Sequence, residues 1–512
     1  MLTPAARLRL TAVQCLIGNV VASPTTTVDS CLTRATHAHR LRYHTTHSVP
    51  TLPWHRGKEF SMSASLSPAA TINWDAVSEE ATTHLQNLIR FETVNLPGNE
   101  SLVANYLKEV VEREGLQATI VESTEGRGNF VTRIKGNGNG RPLLLMAHSD
   151  VVSVEADKWT HPPFAADIVD GMIWGRGAVD TKNLVASELM IMLLMARNGL
   201  TLDRDLIMCT LADEEAGGRF GATWMWENHR DLIDAEVAIN EGGGSAMDVS
   251  GKRFYLCQTG EKGGARMRII ARADPGHASV PRDDTAMLRM GRALVALTEH
   301  QFPTVITASV ERMLLAIGES LGGESTRLIS DILSEPTWEN LDKLPLGQLE
   351  KLQLRATTRN TAVPTIIHGG HRINVIPGEI ICDVDGRTLP GEDPSAFIQM
   401  ARELLEPLGV EVEAAGRGSS GIEADPDSPL FDTIREVMQA TDPGCDVVPF
   451  LVSGGTDAKS IPGVKVYGFN PGQFSPEEMN GAHNHDERVS IDNLAFATRA
   501  LFDITAKYCA AR

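Results

Sequence analysis

The sequence predicts an α/β protein: a mixed, largely parallel sheet flanked by helices, interrupted by a smaller inserted α+β domain. Three observations predict it. Short, wholly apolar runs such as Leu143-Leu144-Leu145-Met146-Ala147 alternate with stretches of helical periodicity. Acidic and histidine side chains follow several of those runs directly, where open α/β sheets carry their ligands. At 512 residues the chain is also too long for one ordinary core.

The first 61 residues stand apart, with seven Lys/Arg, five His and only two acids, Asp29 and Glu59. They read as a leader, as an Arg-rich transit peptide, or as a tail upstream of a natural start at Met62. Gln14 and Asn19 interrupt the apolar run of residues 10–22 and weaken the leader reading, and the start at Met62 is the expectation taken. From Trp74 the pattern becomes regular. Residues 77–91 and 102–114 space apolar side chains as amphipathic helices, and 143–147 is a strand buried on both faces. A helix over 184–197 stops at Asn198-Gly199, and 206–211 and 237–239 are further buried strands. Around residue 262 the pattern changes: a new strand begins over 263–273, a helix follows over 284–299, and 372–387 is strand-like. The polar stretch 303–365 gives no clear element. The expected division is a main domain from 62–261 and 388–512, with 262–387 inserted.

Composition narrows the function. The 42% apolar and 22% charged fractions are those of a globular protein, and no run of about 18 apolar residues suggests a membrane span. A formal charge of −19 argues against a nucleic-acid partner. The seven cysteines are scattered without a C-x-x-C pair, which fits a reducing, cytoplasmic setting and directs any search for metal ligands to His, Asp and Glu.

Four segments carry the candidate chemistry. His148-Ser149-Asp150 follows one strand, Asp213-Glu214-Glu215 another, and Glu241-Gly242-Gly243-Gly244 a third; Gly175 to Asp180 leads into a helix. Converging that many carboxylates is costly without a cation, and a divalent metal removes the cost. Each piece has a plainer reading. A lone His is more often structural, Glu214-Glu215 could be a solvated pair, and Gly242–Gly244 could be only a flexible turn.

The series H-S-D, G-R-G-A-V-D-T-K, D-E-E-A-G-G, N-E-G-G-G, P-G-H-A-S, N-V-I-P, G-G-T-D-A and A-H-N-H-D-E, in this order over about residues 75–508, resembles the M20 metallopeptidases. That group includes aminoacylase-1, glutamate carboxypeptidase, succinyl-diaminopimelate desuccinylase and carboxypeptidase S. The resemblance implies a zinc-exopeptidase-like fold and two Zn2+ ions per site, with Co2+ or Mn2+ as substitutes. Asp180 would bridge the ions, His148 and Glu241 completing one site and Glu215 and His483 the other. Glu214 would be the general base, Asp150 would orient His148, and a cis peptide would follow Asp180. The family spaces its last ligand His four residues before a Glu, which favours His483 over His485, although both stand close enough to approach a metal.

The resemblance also makes the inserted domain a lid and dimerisation element. His277 would stabilise the oxyanion, in dimeric members within the other subunit's site. Asn374 and Arg387 would contact substrate, the Arg pairing with a terminal carboxylate, and Gly455 would line the substrate loop. The implied enzyme cleaves an amide bond beside a free carboxylate, as a carboxypeptidase or dipeptidase. An N-acyl-amino-acid amidohydrolase is the alternative, and an inactive binding relative the rival from another class. The substrate would be a small peptide or N-acyl amino acid, with no nucleic-acid or membrane partner and a homodimer through the lid.

Overall fold

The computed structural model of the protein describes residues 72–511. Expectations for residues 1–61 lie outside the described residues. The main sheet runs in the order Ala118–Glu122, Gly128–Ile134, Arg204–Leu211, Gly140–His148, Val237–Asn240, Lys465–Gly468, Lys252–Glu261 and Ile422–Glu423, with Asp446–Val452 and Ala246–Val249 also pairing with Lys252–Glu261. Its four central strands, from Arg204–Leu211 to Lys465–Gly468, are parallel. Antiparallel pairs are added at the margins.

The all-apolar run is explained by burial on both faces. Leu143, Leu145 and Ala147 pack beneath the helices Trp74–Arg90, Lys182–Arg197 and Ile491–Cys509, while Leu144 and Met146 pack on the other face with Met225 and Ile233. The Lys182–Arg197 helix is itself buried from Lys182 to Met195, so it shows little amphipathic pattern.

A second, antiparallel sheet orders Thr361–Gly369, Glu379–Thr388, Met267–Arg272 and Val410–Ala414, with Gly263–Gly264 also on Glu379–Thr388. The helices Ala286–Glu299 and Pro394–Leu405 share its core, through Met290, Ala293, Phe397 and Ala401. This packing unit therefore extends past residue 387. The stretch that gave no sequence signal holds the helices Ala308–Leu321, Gly323–Ser334, Trp338–Leu341 and Gln348–Thr357. Ala308–Leu321 packs on the Asp446–Val452 and Lys252–Glu261 strands and Gly323–Ser334 packs on Ala308–Leu321, with Val310, Leu314 and Ile332 sharing one core with Phe254, Val448 and Leu451. Apart from Leu315 and Leu352, the exposed residues of these helices are mostly charged or polar, which obscures the short apolar stripes in the sequence. None of the described helices is long and apolar enough to cross a membrane.

Candidate metal centre

The site forms where the parallel strands end. His148 closes the Gly140–His148 strand, Asp213 follows Arg204–Leu211, and Glu241 follows Val237–Asn240. Asp180 lies in the segment before the Lys182–Arg197 helix, and the Asp180–Thr181 peptide is cis. His483 comes from a turn near the C-terminal helix, its φ of 58° in the left-handed region.

Two donor groups result, His148 with Asp180 and Glu241, and Asp180 with Glu215 and His483; within each, ligand atoms lie within 4.8 Å of one another. Asp180 belongs to both. Its Oδ1 is 3.1 Å from His148 Nε2, and its Oδ2 is 3.1 Å from His483 Nε2. His148 Nε2 is also 3.5 Å from a Glu241 oxygen, and His483 Nε2 is 2.9 Å from a Glu215 oxygen. His485 faces Glu155 instead, at 3.5 Å.

The surrounding hydrogen bonds fix these groups. Glu487, fully buried, accepts from the backbone N–H groups of Gly177, Val179 and Asp180 and from the Arg176 guanidinium, at 2.6–3.0 Å. One carboxylate thus ties the Asp180 segment to the His483 turn. Asp150, also fully buried, accepts from the N–H groups of Glu214 and Glu215, both at 3.1 Å, and from Asn95 at 2.8 Å. His148 Nδ1 meets the Asp150 carbonyl at 3.0 Å, which leaves Nε2 directed at Asp180.

The turn bearing the adjacent acids has its own support. Asp213 sits at φ 70°, a region that Asp tolerates better than most residues. Its carboxylate pairs with Arg127, which also meets Glu100 at 3.2 Å, all three side chains buried. Gly218 has φ +70°, and a Cβ there would come within 2.6 Å of the Asp457 carboxylate, so the turn requires glycine.

The electrostatics ask for cations. Burial, then the neighbouring Glu241, pushes Glu214 well above the usual carboxylate range; burial also raises Glu241 and Asp457. Burial works to raise Asp180 as well, but hydrogen bonds from His148 and His483 outweigh it and hold it low. His148 is buried, which disfavours its charge, yet Glu241, Asp150 and Asp180 raise it well above its ordinary value. Hydrogen bonds to Asp180 and Glu215 raise His483 to about 10. Two imidazoles and three carboxylates, one shared, are hard and borderline donors suited to divalent ions. The residues present therefore fit a pair of metal ions.

The sequence profile of peptidase family M20/M25/M40 matches residues 144–507. The chain belongs to this family. Among its relatives, human N-fatty-acyl-amino acid synthase/hydrolase PM20D1 is 25% identical over 377 residues, covering 71% of this chain and 73% of that one. Probable carboxypeptidase S-like 2 of Dictyostelium discoideum is 26% identical over 367 residues, covering 69% of each. Among solved structures, the M20 family metallo-carboxypeptidase Sso-CP2 from Sulfolobus solfataricus superposes with a TM-score of 0.65 at 18% identity, covering 84% of this chain and 99% of that one.

The remaining expected site residues of this M20 chain are not in either donor group. His277 and Asn374 meet on a two-stranded ribbon, where Gly276–His277 pairs with Val375–Ile376 and the Ala278 N–H donates to the Asn374 carbonyl. His277 is exposed and its Nδ1 meets the Ser279 hydroxyl at 2.6 Å; among the described residues it makes no hydrogen bond to the metal-ligand cluster. Arg387 is half-buried on the Glu379–Thr388 strand, its Nε 3.0 Å from Asp385. Gly455 is half-buried beside Lys459. Glu487, Asn95 and Arg127 were not among the expected site residues. Only Glu487 has a sequence signal, its fixed spacing from His483.

Proposed function

We propose that this M20 hydrolase binds two zinc ions through His148, Asp180, Glu215, Glu241 and His483, and cleaves an amide bond beside a free carboxylate. The observation that carries the reading is Asp180, whose two oxygens face different imidazoles in different donor groups. Bound metal ions would supply an acidified water and polarise the scissile carbonyl. Glu214 stands beside the ligand Glu215 in the turn after the Arg204–Leu211 strand and belongs to neither donor group, which leaves its carboxylate to accept and return a proton. It takes a proton from the attacking water as oxygen bonds to the carbonyl carbon, and delivers it to the nitrogen as the C–N bond breaks. The products are a carboxylic acid and an amine. Asp150 holds both glutamates in place through their backbone N–H groups.

In this reading His277 steadies the oxyanion, Arg387 pairs with the substrate carboxylate, and Asn374 and Gly455 line the substrate path. The second sheet acts as lid and dimerisation surface. Its edge strand Thr361–Gly369 exposes Val363, Ile366 and Ile367, and the exposed His277–Asn374 ribbon is free to serve a second copy's site. The described cysteines are buried and free, which supports a reducing, cytoplasmic setting.

The leading substrate class is a dipeptide or peptide C-terminus. An N-acyl amino acid is the second reading, favoured by the likeness to the N-fatty-acyl-amino acid hydrolase. A zinc-supplemented screen over dipeptides and N-acyl amino acids, each beside its C-terminal amide, tests the proposal. Hydrolysis is expected for one class and is lost on amidation. Equal rates on the amides, or no hydrolysis in either class, would refute it.

A further inference from the structure

Glu261 ends the Lys252–Glu261 strand of the first sheet, and after one intervening residue, Lys262, the chain enters the second sheet at Gly263. Glu261 and Lys262 are both fully buried, an uncommon state for adjacent charged residues. Their side chains hold different things. Lys262 Nζ donates to the carbonyls of Ala356 and Arg359, each at 2.8 Å, and to the Thr361 hydroxyl at 3.0 Å, anchoring the entry to the Thr361–Gly369 strand. Glu261 faces the metal centre's neighbourhood.

Two routes run from Glu261 to the residues on either side of Glu241. In the first, one Glu261 oxygen accepts from the Thr456 N–H and the Thr456 hydroxyl, both at 2.8 Å. The Thr456 hydroxyl oxygen in turn accepts from the Asn240 side-chain amide at 3.1 Å, and Asn240 immediately precedes Glu241. In the second, the same Glu261 oxygen accepts from Gln258 Nε2 at 3.1 Å. The other atom of that amide, Gln258 Oε1, lies 1.8 Å from where a Cβ at Gly242 would stand, and Gly242 immediately follows Glu241 with φ +96°. Glu241 is therefore bracketed: its predecessor is tethered through Thr456, and its successor is packed against Gln258.

We infer that Glu261 is a positioning residue for the metal centre, holding Thr456 and Gln258 so that together they fix the turn presenting Glu241. Side chains behind metal ligands commonly set affinity by orienting them, and their loss costs about 10–100-fold. The inference rests on the proposed reading of Glu241 as a ligand.

The test measures zinc affinity of the full chain by competition with a chromophoric chelator, alongside thermal unfolding of the metal-free protein. Glu261→Met removes the oxygen that accepts from Thr456 and Gln258, and leaves the Lys459 amine, which now stands 3.6 Å from a Glu261 oxygen, without its carboxylate. Thr456→Val removes the hydroxyl while leaving the Thr456 N–H bond. Each is expected to weaken zinc binding about tenfold or more. Thr456→Ser, which restores the hydroxyl, should recover wild-type affinity. Lys262→Met should lower the thermal midpoint yet bind zinc as tightly as the wild type. If Glu261→Met does not fold, the Thr456 pair decides. Wild-type affinity in Thr456→Val, a Thr456→Ser variant as weak as Thr456→Val, or an equal loss in Lys262→Met would each overturn the inference while leaving the ligand reading intact. A wild-type chain that takes up no zinc would overturn both.

Discussion

Glu214 and Glu215 are neighbours with separate tasks, and geometry separates them. Both oxygens of Glu215 lie 2.9–3.1 Å from His483 Nε2, while Glu214 is not part of either donor group. Glu214→Gln keeps the volume and removes the proton acceptor. It is expected to lower kcat by about 10²–10⁴-fold with metal content unchanged, checked by steady-state kinetics beside elemental analysis. Loss of metal together with activity would contradict the assignment. The imidazoles make a second prediction. His483 rises from 6.5 to about 10 through its bonds to Asp180 and Glu215, so at neutral pH it carries a proton in the metal-free chain. Its contribution to metal-free stability is complete below about pH 6.5 and is lost as pH rises through about 10. A metal ligand must shed that proton. Zinc uptake at pH 7 should therefore release protons, seen in calorimetry as a binding enthalpy that changes with the buffer's ionisation enthalpy. A buffer-independent enthalpy would contradict it.

At the scale of elements, the strand ends were legible because two signals coincide there: an all-apolar run and a polar residue at its carboxyl end. Leu143 to His148 and Leu206 to Asp213 both read this way, and both end in the site. The supports were not legible. Arg127, Glu100 and Glu487 are buried, yet in sequence they look like any surface charge, because only tertiary contacts reveal their partners. The stretch 303–365 was illegible for a different reason: its helices bury narrow stripes in a core shared with the Lys252–Glu261 and Asp446–Val452 strands, and most of their exposed residues are polar. The Arg127 cluster makes a stability prediction. Arg127→Met leaves the Glu100 and Asp213 carboxylates buried without their cation, a loss of about 3–5 kcal/mol by the usual cost of breaking such a pair. Denaturant unfolding measures it, and a change within about 0.5 kcal/mol, the range of ordinary surface substitutions, would show the cluster to be inert.

For the whole molecule, a single residue, Lys262, separates the Lys252–Glu261 strand of one sheet from the Gly263–Gly264 strand of the other. The return was harder to see. The Pro394–Leu405 helix and the Val410–Ala414 strand have ordinary amphipathic patterns, and nothing local says which sheet they will cover. Thr361–Gly369 is an edge strand among the described residues, and if the proposed dimer forms through it, Ile367→Lys should convert that dimer to a monomer in light scattering. A wild-type chain already monomeric at micromolar concentration would remove that surface's role. Metal content per chain tests whether the Asp180 carboxylate serves two cations. Two zinc ions per wild-type chain are expected, with both lost in Asp180→Ala. A wild-type chain that binds none, or an Asp180→Ala chain that still holds two, would refute a shared Asp180.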